Sequence, residues 1–161
     1  MSVDIFLKLD SITGESQDKT HTGEIDLLAW SWGASQSGTM HMGSGGGSGK
    51  ASFQDISATK YVDKSSATLW QKLSKGEHIK TGTLTVRKAG GKPLEYIVID
   101  LTNIIITSIS TGGSGGEDRL TENVSLNFEE FHITYKEQKE DGAPAKIPDF
   151  KWNIAKNAEA P

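Results

Sequence analysis

Cysteine is absent from the 161 residues, which excludes thiol nucleophiles, disulfides and thiolate-bound metals in any compartment. A basic excess is also missing. Lys and Arg number 17 against 21 Asp and Glu, for a formal net charge of -4, and the densest basic pair is Arg87-Lys88. Nucleic-acid binding needs clustered cations to meet phosphates, so no nucleic-acid partner is expected. No stretch approaches the roughly 20 apolar residues of a membrane-spanning helix, and no membrane insertion is expected. The opening, Met1-Ser2-Val3-Asp4-Ile5-Phe6-Leu7-Lys8-Leu9-Asp10, alternates apolar and polar residues. A secretory signal would show a basic patch and then an unbroken apolar run. The chain is therefore expected to be made in the cytoplasm without a signal peptide, with any export following another route. What is present, 35% hydrophobic and 24% charged residues, suits one folded domain over residues 1–161.

Motifs that carry chemistry are mostly missing. The glycine run before Lys50 lacks the phosphate-cradling pattern: Ser44 stands where the first glycine should be, and Ala51 replaces the magnesium-holding hydroxyl. The residues after Lys50 read as strand, so no helix N-terminus meets a phosphate there. His21, His41, His78 and His132 are not at helical ligand spacing. Met40 and Met42 flank His41, but thioethers alone make a poor metal site, and an exposed contact loop fits them better. The neighbouring carboxylates Glu129-Glu130 point to opposite faces of a strand, and Glu117-Asp118 reads as a solvated loop. No serine sits on a strand-to-helix elbow. Neither catalytic residues, metal ligands nor a cofactor are expected, and the chain is read as a non-enzyme.

Period-two alternation dominates. Val3, Ile5, Leu7 and Leu9 mark one face of a first strand. Residues 25–32 read as a second, with Leu28, Trp30 and Trp32 toward the core and Leu27, Ala29 and Ser31 on the other face. One helix is expected after Asp63, Ser65 or Ser66, carrying a stripe of Leu69, Trp70 and Leu73 and ending at Gly76. Strands resume at 83–88, 95–101 and 103–110, and Gly90-Gly91-Lys92-Pro93 signals a tight turn. The continuous runs Ile97-Val98-Ile99 and Ile104-Ile105-Ile106 suggest strands covered on both faces. Glycine-rich runs at 43–49 and 112–116 are expected to be exposed loops.

Residues 123–136 hold a conflict. Val124, Leu126 and Phe128 are spaced by two, as are Phe131, Ile133 and Tyr135, but on the opposite parity. A strand that changes parity turns its apolar face to water. A β-bulge at Glu129 and Glu130 resolves this and predicts one long, bent strand. Beyond Gly142 a short edge strand through Phe150, Trp152 and Ile154 is expected, with a flexible end at about 155–161. These elements make a mainly β, compact two-sheet β-barrel with one short α-helix.

Several longer motifs carry a family likeness. They are Val3-Asp4-Ile5-Phe6-Leu7-Lys8, Gly14-Glu15-Ser16 with Lys19-Thr20-His21, and Glu24-Ile25-Asp26-Leu27-Leu28-Ala29-Trp30-Ser31-Trp32-Gly33. Further on come Gln36-Ser37-Gly38-Thr39-Met40-His41-Met42-Gly43, Thr59-Lys60-Tyr61-Val62-Asp63-Lys64-Ser65, Leu84-Thr85-Val86-Arg87-Lys88-Ala89-Gly90 and the stretch 108–127. With them, nearly the whole chain resembles the haemolysin-coregulated protein (Hcp) family. The resemblance implies a barrel that assembles as a hexameric ring. Rings stack into the inner tube of the type VI secretion system, and a contractile sheath propels the tube, its spike protein and effector proteins outward, in virulence or bacterial competition. It implies secretion to the extracellular space or into target cells. It also implies that Ala29 and Ser31 line the ring lumen and contact effectors. Residues Thr39, Met40, His41, Met42, Gly43, Ser44, Gly45, Gly46, Gly47, Ser48, Gly49 and Lys50 form the candidate ring-contact loop. An effector carrier whose ring works without stacking is the second reading, and a hydrolase using surface carboxylates the third.

Overall fold

The computed structural model describes residues 2–38, 40, 49–90, 93–138 and 144–161. The strands are β1 (Val3–Leu9), β2 (Ile25–Leu27), β3 (Ala29–Ser31), β4 (Ala34–Ser35), β5 (Ser52–Phe53) and β6 (Ile56–Tyr61), followed by the helix α1 (Ser66–Lys75). Then come β7 (Ile79–Lys88), β8 (Leu94–Gly112), β9 (Thr121–Gln138), β10 (Pro144–Lys146), β11 (Phe150–Asn153) and β12 (Ala158–Glu159). A ten-stranded sheet runs β12-β11-β9-β8-β7-β1-β2, with β6 and β10 also paired to β9 and β3 paired to β6; β4 and β5 form a separate two-stranded sheet. The fold is mainly β with two sheets and one helix, as the sequence indicates, but its pairing does not close into a barrel. The described ladders take β2 to β1 and β3 to β6, with none between β2 and β6.

That opening follows from Leu28. The sequence reads 25–32 as one strand with Leu28 inward, yet Leu28 is 46% exposed while Ile25 and Leu27 are buried. The chain bends at Leu28, whose amide bonds to the Thr59 carbonyl at 2.7 Å. Parity therefore changes, so Trp30 and Trp32 still pack on the core.

The core is aliphatic at its centre. Ile25, Ile56, Leu84, Ile99, Ile104 and Leu126 have no exposed surface, and each such side chain contributes about 1.5–3 kcal/mol by leaving water. Gly82 lies among them because a Cβ there would meet Ile104 Cδ1 at 2.8 Å and Leu9 Cδ2 at 2.9 Å. Near β4 and β5 the core turns aromatic. Trp32 meets Phe131 edge-on with ring centres 4.9 Å apart, and Phe53 lies 5.2 Å from Phe131.

The parity change in β9 falls where the sequence places it, between Phe128 and Phe131, both buried. The bulge expected at Glu129 and Glu130 is not what produces it. The β8–β9 register runs through Thr102↔Glu130 and Ile104↔Phe128 without an inserted residue. Instead both strands switch faces together: β8 buries Leu101 before the switch and Ile104 after it. Asn103 sits at the switch with φ 56, a left-handed conformation that asparagine tolerates better than most residues. Its Nδ2 donates to Glu129 Oε2 at 3.0 Å, and its Oδ1 lies 2.7 Å from His78 Nδ1. The register shifts that do occur lie between Ile106 and Ser108, opposite β9, and between Val86 and Arg87, opposite β8.

The helix begins and ends as the sequence indicates. Asp63 receives the Ser65 amide on its Oδ1 at 2.9 Å, and Gly76 closes the helix in the left-handed region at φ 62. Leu69 is buried and Leu73 packs on the core, but Trp70 is 42% exposed rather than part of a buried stripe. The two strands read at 95–101 and 103–110 are one strand, β8. Within 155–161, β12 pairs with β11, and the Ala160 amide donates to the Lys151 carbonyl at 3.0 Å.

Candidate functional site

Strand pairing gathers small polar residues onto one outward face. Ala29 pairs with Thr59, Thr59 with Asn123, and Asn123 with Ser110. The next outward row is Ser31, Ser57, Ser125 and Ser108. Eight positions across β3, β6, β9 and β8 thus carry no charge and no large apolar group. Between them runs Trp30, Ala58, Val124 and Ile109, turned the other way onto the core. Ala29 and Ser31 are both exposed, which agrees with their reading as non-core positions. Thr59 Oγ1 donates to Asn123 Oδ1 at 2.7 Å. At the margin, Asp55 accepts from Asn127 Nδ2 at 2.9 Å and from Thr107 Oγ1 at 2.6 Å. Sequence reading found only Ala29 and Ser31. The other six are visible only as Ser, Thr or Asn alternating with apolar residues, and their lateral alignment depends on register.

Another outward row, crossing β1, β7, β8, β9 and β11, has a different chemistry. Lys8, Thr83, Asp100, His132 and Lys151 align across it. Thr83 Oγ1 donates to Asp100 Oδ1 at 2.9 Å, and His132 Nε2 contacts Asp149. The first two rows are therefore uncharged, whereas this one carries charges of both signs.

The candidate contact loop lies in sequence between β4 and β5, whose register is Ala34↔Phe53 and Ser35↔Ser52. Aromatic packing fixes this stem: Phe53 and Trp32 lie against Phe131, Trp32 Nε1 donates to the Gln54 carbonyl at 3.0 Å, and the Gln54 amide donates to the Gly33 carbonyl at 2.9 Å. Of the loop itself, Met40, Gly49 and Lys50 are described; Met40 is 80% exposed and the Gly49 amide reaches the Ser37 carbonyl at 3.3 Å. Thr39, His41, Met42, Gly43, Ser44, Gly45, Gly46, Gly47 and Ser48 lie outside the described residues. Glu129 and Glu130, half-buried, sit at the strand switch. The second glycine-rich run, 112–116, is exposed as expected.

Two polar clusters serve the scaffold. Lys60 Nζ, 1% exposed, lies 2.5 Å from Glu122 Oε1 and 3.0 Å from Asp63 Oδ1, and Ser66 Oγ donates to the same Glu122 oxygen at 2.6 Å. The cluster ties the first turn of α1 to β6 and β9. Arg87 grips Asp18 through two nitrogens, at 2.9 and 2.6 Å, and reaches Asp4 at 3.0 Å. The Arg87 hydrogen bond holds the Asp18 carboxyl far below the usual carboxylate range. Among the described residues, no group of three or more His, Asp or Glu side chains is arranged to hold a metal. His78 and His132 each meet an amide or carboxylate partner, and the His21 contacts are direct, at 2.8 and 2.6 Å.

The family described as "Type VI secretion system effector, Hcp" matches residues 6–135. Protein hcp1 of Pseudomonas aeruginosa is 55% identical, over 99% of this chain and 100% of that protein. Among solved structures, a type six secretion system protein superposes with a TM-score of 0.93 at 28% identity, covering 99% of this chain and 100% of its own. Hcp1 from Salmonella typhimurium gives 0.80 at 35% identity, with the same coverage. A type VI secretion system effector from Yersinia pestis gives 0.75 at 32%, over 94% of this chain and 100% of its own.

Proposed function

Because this chain belongs to the Hcp family of type VI secretion system proteins, we propose that it is the repeating unit of a secretion tube: six copies close a ring, and rings stack into a conduit. The family is a structural one rather than a family of enzymes. The observation that carries the conduit reading is the pair of uncharged rows, Ala29-Thr59-Asn123-Ser110 and Ser31-Ser57-Ser125-Ser108. A lumen wall through which different proteins pass must neither hold ions strongly nor offer a sticky apolar surface, and short hydroxyl and amide side chains meet both conditions. The charged row across β1, β7, β8, β9 and β11 then faces outward, toward the sheath. Head-to-tail contacts close a ring when their rotation closes. In this reading the 39–50 segment, which follows β4 and precedes β5, supplies the contact with the next subunit or ring. The partners of this assembly are further copies of the chain, the spike, the sheath and effector proteins, and export into the medium or a target cell follows.

Negative-stain images of the purified protein test ring closure directly; annular particles are expected, and isolated compact particles alone contradict it. Ser31→Gln tests the lumen assignment. It is expected to leave the particles annular while co-purification of a cognate effector drops by about tenfold, about 1.4 kcal/mol, because the longer side chain crowds cargo that a short hydroxyl admits. Unchanged retention in Ser31→Gln together with loss in Asp100→Ala would place the cargo on the other face.

A further inference from the structure

The connection between β1 and β2, residues 10–24, folds back on itself. The Gly14 amide donates to the Gly23 carbonyl at 2.7 Å, Gly23 to Ser16 at 2.8 Å and Ser16 to Glu24 at 2.9 Å. Two of the side-chain attachments that hold this connection to the sheet lie at one corner. One is the Arg87–Asp18 grip from β7. The other is His21, which is buried and lies flat on Phe6 of β1, ring centres 4.3 Å apart and planes 9° from parallel.

Both nitrogens of His21 meet carboxylates. Nδ1 is 2.8 Å from Glu24 Oε2, and Nε2 is 2.6 Å from Glu95 Oε1 at the start of β8. An ionised carboxylate only accepts hydrogen bonds, whereas a neutral imidazole has a single N–H and one lone pair. A neutral ring would therefore set a lone pair against a carboxylate oxygen at less than 3 Å. The geometry needs two N–H groups, which only the imidazolium has. We propose that His21 is a proton-operated pin: protonated, it clamps the 10–24 connection to β8, and on losing its proton it releases that end of the connection and uncovers Phe6.

The surrounding charges fit this role. Glu24 comes from the connection and Glu95 from β8. Arg87 from β7 lies 5.0 Å from the Phe6 ring centre, but Asp18 and Asp4 of β1 already compensate it. Asp26 of β2 pairs with Phe6 across the ladder. The corner is thus net negative and favours the cation. Burial works against protonation of His21, yet the hydrogen bonds and charges of Glu24 and Glu95 outweigh it and raise its pKa above the ordinary value. A histidine whose folded value is raised contributes its full stabilisation below its unfolded value, about 6.5, and loses it as pH rises through the folded value. Asp18, by contrast, is held so low that the second attachment persists throughout this range. Alkaline solution therefore frees the His21 end of the connection while the Asp18 end stays attached.

Carbon-13 labelling of the histidines locates the His21 titration in the intact protein, and hydrogen-exchange protection factors follow residues 10–24 over the same range. His21 is expected to titrate above an ordinary histidine. Protection across 10–24 is expected to fall about tenfold as it loses its proton, with β8 and β9 unchanged. Glu95→Gln, which removes one carboxylate, is expected to shift the titration downward and flatten the pH dependence. A His21 midpoint at or below the ordinary value overturns the proposal, as does constant protection of 10–24 through the titration. The wild-type titration decides the matter even if Glu95→Gln does not fold, and it is read independently of ring formation.

Discussion

Lys60 and Glu122 are each 1% exposed and 62 residues apart in sequence, yet they form an ion pair with Asp63 and Ser66 as additional partners. Burying two charges is costly, and removing one leaves the other stranded. Lys60→Met is therefore expected to lower the unfolding free energy by about 3–5 kcal/mol in chemical denaturation. Adding Glu122→Leu should recover much of that loss; a double variant no better than Lys60→Met would mean that shape, not stranded charge, sets the cost. Nothing in the sequence reveals this pair, since both residues read as ordinary polar positions near strand ends. Ala29 and Ser31 were legible as non-core because alternation opposite Trp30 and Trp32 requires it. Their neighbours Ser57, Thr59, Ser125 and Asn123 were not, because lateral alignment depends on a register that local pattern does not supply.

Elements followed local pattern where one solution existed. Alternation from Val3 to Leu9 gives β1, and a stop at Gly76 in the left-handed region ends α1. Where two solutions existed, pattern did not choose. A parity change in β9 can come from a bulge or from a shared switch with its neighbour, and Asn103 in β8 takes the second course. The only signal was an asparagine between two isoleucine runs, a residue suited to positive φ. The break at Leu28 is similar: the adjacent apolar residues Leu27, Leu28 and Ala29 hide the change of partner from β1 to β6. Asn103→Val forces a β-branched side chain into φ 56 and is expected to cost about 1–2 kcal/mol from conformation alone, beyond the lost bonds to His78 and Glu129. Asn103→Gly loses the same bonds without the strain and should unfold at higher denaturant than Asn103→Val. Equal midpoints would assign the cost to the hydrogen bonds.

Across the whole molecule, outward rows of different character, one of short uncharged side chains and one carrying charges of both signs, suit a subunit whose work is assembly. Fold class was legible because strand-length alternation, one capped helix and glycine-rich turns leave few architectures. Open pairing at Leu28 was not, because closure of a sheet is a long-range property. Ring formation is the claim on which the lumen, the loop contacts and the outward charged face all depend. Light scattering after gel filtration measures it most directly. Six chains of 17.4 kDa predict a particle of about 104 kDa. A particle of 17.4 kDa that persists at micromolar concentration would contradict it.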